Sequence, residues 1–394
     1  MADTPIRRVV VLVLDGFGVG AAPDAARFGD EGSDTFAHSV EAAGGARLPN
    51  LRSLGLGNLH PASGIPAVAE PRASHGRMRE ASPAKDTVTG HWEMMGCTVE
   101  EPFAIFAGGF PREIVEAFKK AAGVSGLIGN KAASGTEIIQ ECGPAHERTG
   151  LPIVYTSADS VFQIAAHERV VPLKKLYAWC EAARRVLDRW RVARVIARPF
   201  VGSAGNYTRN YNRRDFAMEP TSETVLDRLA ARGIPTVGVG KIHDLFSGRG
   251  LSASVHTEGN RDGMAATVGL LEEAPEGLVF NNLVDTDMLY GHRRDPKGFV
   301  RALEEFDEDL GVLLERLRPS DLLLISADHG CDPTFRKTTD HTREDVPVLA
   351  FRPARPRGSD LHVRKSFADL GATVAEVLGV APPEGSRSFL GDLL

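Results

Sequence analysis

The chain has 394 residues, 42% of them apolar and 25% charged, with a net charge of -6. These proportions belong to an ordinary globular protein of about two domains, and the acidic balance argues against general nucleic-acid binding. Cys97, Cys142, Cys180 and Cys331 form no CxxC pair, and no apolar run reaches the roughly 18 residues of a membrane span, so we expect a cytoplasmic protein with reduced thiols and no membrane contact.

In chain order, MADTPIRR has no apolar signal region and leads into RRVVVLVLDG, a β-branched run that ends in Asp15 and Gly16. A run this apolar predicts a parallel strand covered on both faces. The following GFGVGA fits one form of the dinucleotide fingerprint. However, Pro23 and the glycine-broken DAARFGDEGSDT predict no helix that could carry a pyrophosphate, and no strand ending in an acid appears about 20 residues on. The glycines are better read as letting the backbone turn tightly past Asp15. KDTVTGHWEMMG, from Lys85, is too polar for a core strand and too rich in Trp and Met for an idle loop.

From about residue 100 the pattern changes. PREIVEAFKKAAG and LKKLYAWCEAARRVLDRW predict helices, LPIVYTSA and RVARVIARPFVG predict strands, and GSAGNYTRNYNRRD predicts a polar loop. This stretch is expected to be a smaller α+β domain inserted into the first, giving core 1–99, insert 100–218 and core 219–394. Strand and helix patterns then alternate: SETVLDRLAARG, IPTVGVGK, GMAATVGLLEEA, GLVFNNLVDTD, KGFVRALEEFDEDLGVLLERL, SDLLLISADHG, VPVLAF and SFADLGATVAEVLG. That alternation predicts an α/β fold with a mainly parallel sheet flanked by helices.

Ligands of open α/β sheets bind beyond the carboxyl ends of the strands. Three predicted strands end in acids and imidazoles: Asp15; Asp285 and Asp287 with His292; Asp328 and His329 with Asp340 and His341. One acid after a strand is usually a turn former or cap, but three such ends together are hard to read as turn chemistry. An oxygen-rich set with several histidines suits manganese, zinc or a mixed site better than calcium. There are enough ligands for two ions, which at about 3.5–4 Å apart could clamp the attacking and leaving oxygens of a phosphoryl transfer. Beside such a site Thr87 is a candidate nucleophile, with Asp86 and Thr89 fixing its loop and Lys85 offsetting phosphate charge. The alternative is a turn threonine that satisfies local backbone.

VLDGFGVGAAPDA, KDTVTGHWEMMG, YTSADSVFQIAAHE, VDTDMLYGHRRD and SADHGCDP with TDHTREDVPVL together resemble the metal-dependent phosphopentomutases of bacteria, within the alkaline phosphatase superfamily. The resemblance covers nearly the whole chain. It implies an alkaline-phosphatase-like core with an inserted cap. It also implies interconversion of ribose 1-phosphate and ribose 5-phosphate, or their 2-deoxy forms, through a phosphothreonine at Thr87 and a 1,5-bisphosphate. Two divalent ions, usually manganese, are implied: one on Asp287, His292 and His341, the other on Asp15, Asp328, His329 and the Thr87 oxygen. Substrate contacts are implied for Ser157, Asp159, Arg209, Lys241 and Arg198; for the transfer itself we expect Asp86, His91 and Lys241 as proton or charge partners. A sugar bisphosphate such as glucose 1,6-bisphosphate is the implied activator, and a monomer acting on small pentose phosphates the implied form. The DHG and DHTRE motifs are shared with cofactor-independent phosphoglycerate mutases, so that activity, plain phosphatase activity and a non-catalytic binding role are the rivals. The loop before His341 is about one residue longer than the family pattern, and Cys331 stands where Asn is also common.

Overall fold

The computed structural model describes residues 4–60, 64–157, 160–210, 212–273 and 276–394. Its strands are β1 (Arg8–Leu14), β2 (Ser74–Met78), β3 (Ile128–Ala132), β4 (Ile153–Thr156), β5 (Val161–His167), β6 (Arg194–Val201), β7 (Thr208–Arg209), β8 (Arg214–Ala217), β9 (Thr236–Val239), β10 (Ala253–Val255), β11 (Gly277–Leu283), β12 (Asp321–Ser326), β13 (Val346–Phe351) and β14 (Asp360–Arg364). The chain divides into two compact units, one of residues 1–101 with 220–394 and the other of residues 102–219.

The first unit holds an eight-stranded sheet in the order β10-β9-β11-β1-β12-β13-β2-β14. The five strands from β10 to β12 run parallel, and β13 is antiparallel to both β12 and β2. Strands β1, β11 and β12 are buried at every position, as apolar runs covered on both faces must be. Register does the functional work here. Leu14 lies opposite Leu283, and Val13 opposite Ser326, so β11, β1 and β12 end on one rim of the sheet. At the other end of the strands Arg8 grips Asp321 with two bonds, Nε–Oδ1 at 3.0 Å and Nη2–Oδ2 at 2.8 Å, both side chains being buried.

The helices follow their caps. Pro296–Arg316 starts at Asp295, whose carboxylate accepts the Gly298 N–H, with Pro in the first turn. Val225–Ala231 opens with a capping box between Thr224 and Asp227. Among the described residues no helix is long and apolar enough to cross a membrane.

The second unit has a mixed sheet in the order β3-β4-β5-β6-β7, with β8 also paired to β6. One apolar cluster packs Phe118, Phe162, Leu176 and Trp179, and another packs Ile138, Ile139, Tyr155 and Phe200. GSAGNYTRNYNRRD, read from sequence as loop, partly forms β7 and β8: polar side chains are tolerated on such short, exposed edge strands.

Candidate active site

KDTVTGHWEMMG forms the helix Thr87–Met94. Asp86 is its N-cap, accepting the Thr89 N–H at 3.1 Å on Oδ1 and the Thr89 hydroxyl at 2.7 Å on Oδ2. Thr87 is therefore the first helical residue, at the end where unpaired N–H groups and the helix dipole favour negative charge. Trp92 and Glu93 anchor this helix to the rest of the fold. Trp92 Nε1 donates to the Leu245 carbonyl at 2.8 Å. Glu93 accepts from the Ala81 and Ser82 amides at 2.9 and 2.7 Å and from Ser366 and Phe367 at 2.8 and 3.0 Å. Gly90 is required by proximity, since a Cβ there would sit inside the contact distance of the Asp328 backbone carbonyl. His91 is fully buried, and its Nδ1 lies 2.8 Å from the Thr87 carbonyl. Burial pushes the His91 imidazole down to about 4, so it is neutral at neutral pH.

The acids and imidazoles converge at the rim where the strands end. Asp287 sits in a π-helical turn, Thr286–Gly291, a distortion that often marks functional positions. Its Oδ2 is 3.3 Å from His292 Nε2 and its Oδ1 3.5 Å from His341 Nε2, while the two imidazole Nε2 atoms are 3.2 Å apart. Asp15 Oδ1 is 3.4 Å, and Asp328 Oδ2 3.3 Å, from His329 Nε2, and the Thr87 hydroxyl lies 3.0 Å from the same nitrogen. Two ligand groups result: Asp287, His292 and His341; and Asp15, Asp287 and His329. Asp287 belongs to both, and Asp328 lies at the edge of the second.

These residues fit cations. Asp15 Oδ1, Asp287 Oδ1 and Asp328 Oδ2 are buried and lack any hydrogen-bond donor. All three imidazoles place Nδ1 on a backbone carbonyl, that of Thr339 for His292, Gly330 for His329 and Lys85 for His341, which leaves each Nε2 for a ligand. The acids and imidazoles also shift one another's protonation. The Asp287 hydrogen bond lifts His292 to about 9. Burial opposes charge on His329, but Asp328 and Asp15 hold its imidazolium well above the usual histidine range. Burial likewise opposes charge on Asp287, yet His341 and His292 hold its carboxyl well below the usual carboxylate range. Burial and the Asp15 charge together lift the Asp328 carboxyl well above that range.

Several supports carry no obvious sequence signal. Asn282 donates to Asp15 Oδ2 at 3.1 Å, and the Thr286 hydroxyl to the Asp15 carbonyl at 2.6 Å. Two of the acids noticed at strand ends do local work instead: Asp285 accepts the Asn260 N–H and Asp340 accepts the His341 N–H. Lys85 is engaged by Asp30 at 2.7 Å rather than standing free for a phosphate. Lys241 follows β9 on the same rim; burial opposes charge on Asp15, but His329 and, more weakly, Lys241 hold its carboxyl below its usual range. Cys331 is buried, with its side chain against Gly16 and Gly291.

The remaining predicted substrate residues belong to the second unit. Arg198 and Arg209 line one cavity of about 670 Å³ with Thr136, Tyr207, Asn210 and Arg213. Arg198 Nε also donates to Gln163 at 3.0 Å. Ser157, half-buried, follows β4 and is not among the residues lining that cavity, while Asp159 lies outside the described residues.

A family model described as the Metalloenzyme superfamily matches residues 7–382. The phosphopentomutase of Anaeromyxobacter sp. (strain K) is 58% identical over 387 residues, 98% of this chain and 99% of that protein. The phosphopentomutase of Syntrophotalea carbinolica is 55% identical over 389 residues, 98% of each chain. Among solved structures, the PH0037 protein from Pyrococcus horikoshii covers 95% of this chain and 98% of its own at a TM-score of 0.51 and 15% identity, a likeness of fold alone. Fold and site define a member of the Metalloenzyme superfamily, built on a mainly parallel sheet with candidate cation ligands gathered at one rim. Identity across nearly the full length narrows this further: the chain belongs to the phosphopentomutase family, and it is an isomerase of the intramolecular phosphotransferase kind.

Proposed function

We propose that the chain interconverts ribose 1-phosphate and ribose 5-phosphate, and their 2-deoxy forms, by way of phospho-Thr87 and a sugar 1,5-bisphosphate. The observation that carries this is the Thr87 hydroxyl at a helix N-terminus, 3.0 Å from His329 Nε2 within a ligand group. Asp287, His292 and His341 would hold one cation, and Asp15, Asp328 and His329, with Asp287 shared, the other. Manganese is the ion we favour; when bound, the pair supplies charge neutralisation and a lowered hydroxyl pKa.

Phospho-Thr87 gives its phosphoryl group to the free hydroxyl of the bound monophosphate. The Thr87 Oγ1–P bond breaks as the sugar O–P bond forms, and the proton lost by the sugar hydroxyl is matched by one taken up at the freed Thr87 Oγ1. The bisphosphate then turns and returns its other phosphate to Thr87. The Asp86 cap fixes the start of the helix that carries Thr87, and the helix N–H groups face the transferring phosphoryl. Lys241 adds positive charge on the rim. In this reading the second unit acts as a cap: Arg198 and Arg209 take the distal phosphate, Ser157 and Asp159 the sugar, and water is kept from the phosphothreonine. A sugar bisphosphate such as glucose 1,6-bisphosphate primes Thr87. The enzyme works in the cytoplasm as a monomer.

The test is 31P NMR with Mn2+ and glucose 1,6-bisphosphate. Ribose 5-phosphate should give ribose 1-phosphate with little inorganic phosphate, while 3-phosphoglycerate should be left unchanged. Isomerisation of 3-phosphoglycerate, or release of inorganic phosphate as the main product, would overturn the proposal.

A further inference from the structure

Arg343 lies two residues beyond His341 and is 3% exposed. A guanidinium buried this deeply costs several kcal/mol unless its donors are satisfied, and an ion pair alone does not satisfy them. Here Nη1 donates to Glu80 Oε2 at 2.6 Å, to the Ser82 carbonyl at 2.8 Å and to the Ala84 carbonyl. Nη2 donates to the Glu80 carbonyl at 2.7 Å and to Asp24 Oδ2 at 3.1 Å, and Nε to Asp24 Oδ1 at 3.1 Å. One side chain thus holds the carbonyls of residues 80, 82 and 84, the run that leads directly into Lys85, Asp86 and Thr87.

The next residue is fixed from the same segment. Asp30 Oδ2 takes both Lys85 Nζ at 2.7 Å and the Arg343 N–H at 2.9 Å, and the Lys85 carbonyl meets His341 Nδ1 at 2.9 Å. The extended run 341–343 therefore carries a cation ligand on one residue and the anchor of the nucleophile's segment on another.

We propose that Arg343 is a positioning residue for the phosphoryl transfer, fixing residues 80–85 so that the Thr87 hydroxyl stays in line with the phosphoryl group it receives and returns. The proposal rests on Thr87 as the phosphoacceptor. Arg343 belongs to neither cation-ligand group, and its guanidinium is engaged by Glu80, Ser82, Ala84 and Asp24. Its effect falls on the chemical step, because displacing a nucleophile by about 1 Å costs on the order of 10²-fold in rate.

The experiment compares the wild type with Arg343→Lys and Asp24→Asn in the full-length, Mn2+-loaded enzyme. Lysine keeps the charge but cannot bond three carbonyls and two carboxylates at once. Asp24→Asn removes only the half-exposed partner of Nε and Nη2. Four quantities are read: kcat, KM for ribose 5-phosphate, Mn2+ affinity, and the single-turnover rate at which Thr87 gains phosphate from glucose 1,6-bisphosphate. For Arg343→Lys we expect kcat and the phosphorylation rate to fall about 100-fold, with KM and Mn2+ affinity within about threefold. For Asp24→Asn we expect a fall of roughly three- to tenfold in the same two rates.

Wild-type rates in both variants would overturn the proposal. So would losses that track Mn2+ affinity or folded fraction, which is what a merely structural role produces. If Arg343→Lys does not fold, Asp24→Asn decides alone. A wild type that turns over without phosphate on Thr87 would strike the phosphoacceptor assignment instead, and is seen separately in the same mass spectra.

Discussion

Asp287→Asn gives the sharpest single perturbation, because this carboxylate is common to both ligand groups. Its Oδ2 is 3.3 Å from His292 Nε2 and its Oδ1 3.5 Å from His341 Nε2. Two unit charges at about 3.3 Å in an effective dielectric of about 20 interact by roughly 5 kcal/mol, of which desolvation returns a part. Removing one partner of a buried charge pair costs about 3–5 kcal/mol, which corresponds to a loss of roughly two to three and a half decades in affinity. Asn keeps the shape and loses the charge, so we expect both cation affinities to fall by at least about 100-fold in the one variant. His292→Asn, by contrast, should weaken one site only. The assay is Mn2+ titration followed by electron paramagnetic resonance and calorimetry, on wild type and both variants. Weakening of a single site in Asp287→Asn, or of neither, would refute the shared-carboxylate geometry.

Three further outcomes follow from the same contacts. Because His292 titrates at about 9 and the His329 imidazolium is held well above the usual histidine range, cation binding at pH 7 should release protons, that of His292 among them, and apparent affinity should rise with pH through about 9. Calorimetry in buffers of different ionisation enthalpy reads those protons directly, and no buffer dependence would contradict it. Gly90→Ala should lower both Tm and kcat, although Ala favours a helix by roughly 1 kcal/mol, because its Cβ meets the Asp328 carbonyl; a stabilised, fully active variant would contradict the packing. Arg8→Met should cost about 3–5 kcal/mol in urea unfolding by leaving Asp321 buried and unpaired, and Arg8→Met with Asp321→Leu should recover most of it.

How much of this was legible in the sequence depended on whether a residue's role is local. The buried strands β1, β11 and β12 read directly, because a parallel strand covered on both faces must be apolar throughout. The convergence of Asp15, Asp287, Asp328 and His329 on one rim was legible through the strand-end rule. The Asp86 cap was visible because a cap acts within three residues. Asn282, Thr286, Glu93 and Arg343 were not legible as supports: their partners lie far along the chain, and only the fold brings them together. The sharing of Asp287 between the two groups is a matter of rotamer and register, to which spacing is blind. Lys85 misled for a related reason, since a lysine beside a phosphoacceptor suggests a phosphate contact until Asp30 is seen to hold it. The one-residue-longer stretch before His341 does not disturb the ligand: Thr339 still meets His292 Nδ1 at 2.7 Å, and His341 reaches Asp287.

The central claim is that the Thr87 oxygen carries the phosphate. Intact-mass and fragment mass spectrometry of the Mn2+-loaded enzyme, after incubation with glucose 1,6-bisphosphate, tests it most directly. The account predicts one phosphate, located on Thr87 and absent from an inactive Thr87→Ala. Phosphate on another residue, or an unmodified Thr87 in enzyme that turns over, would contradict it.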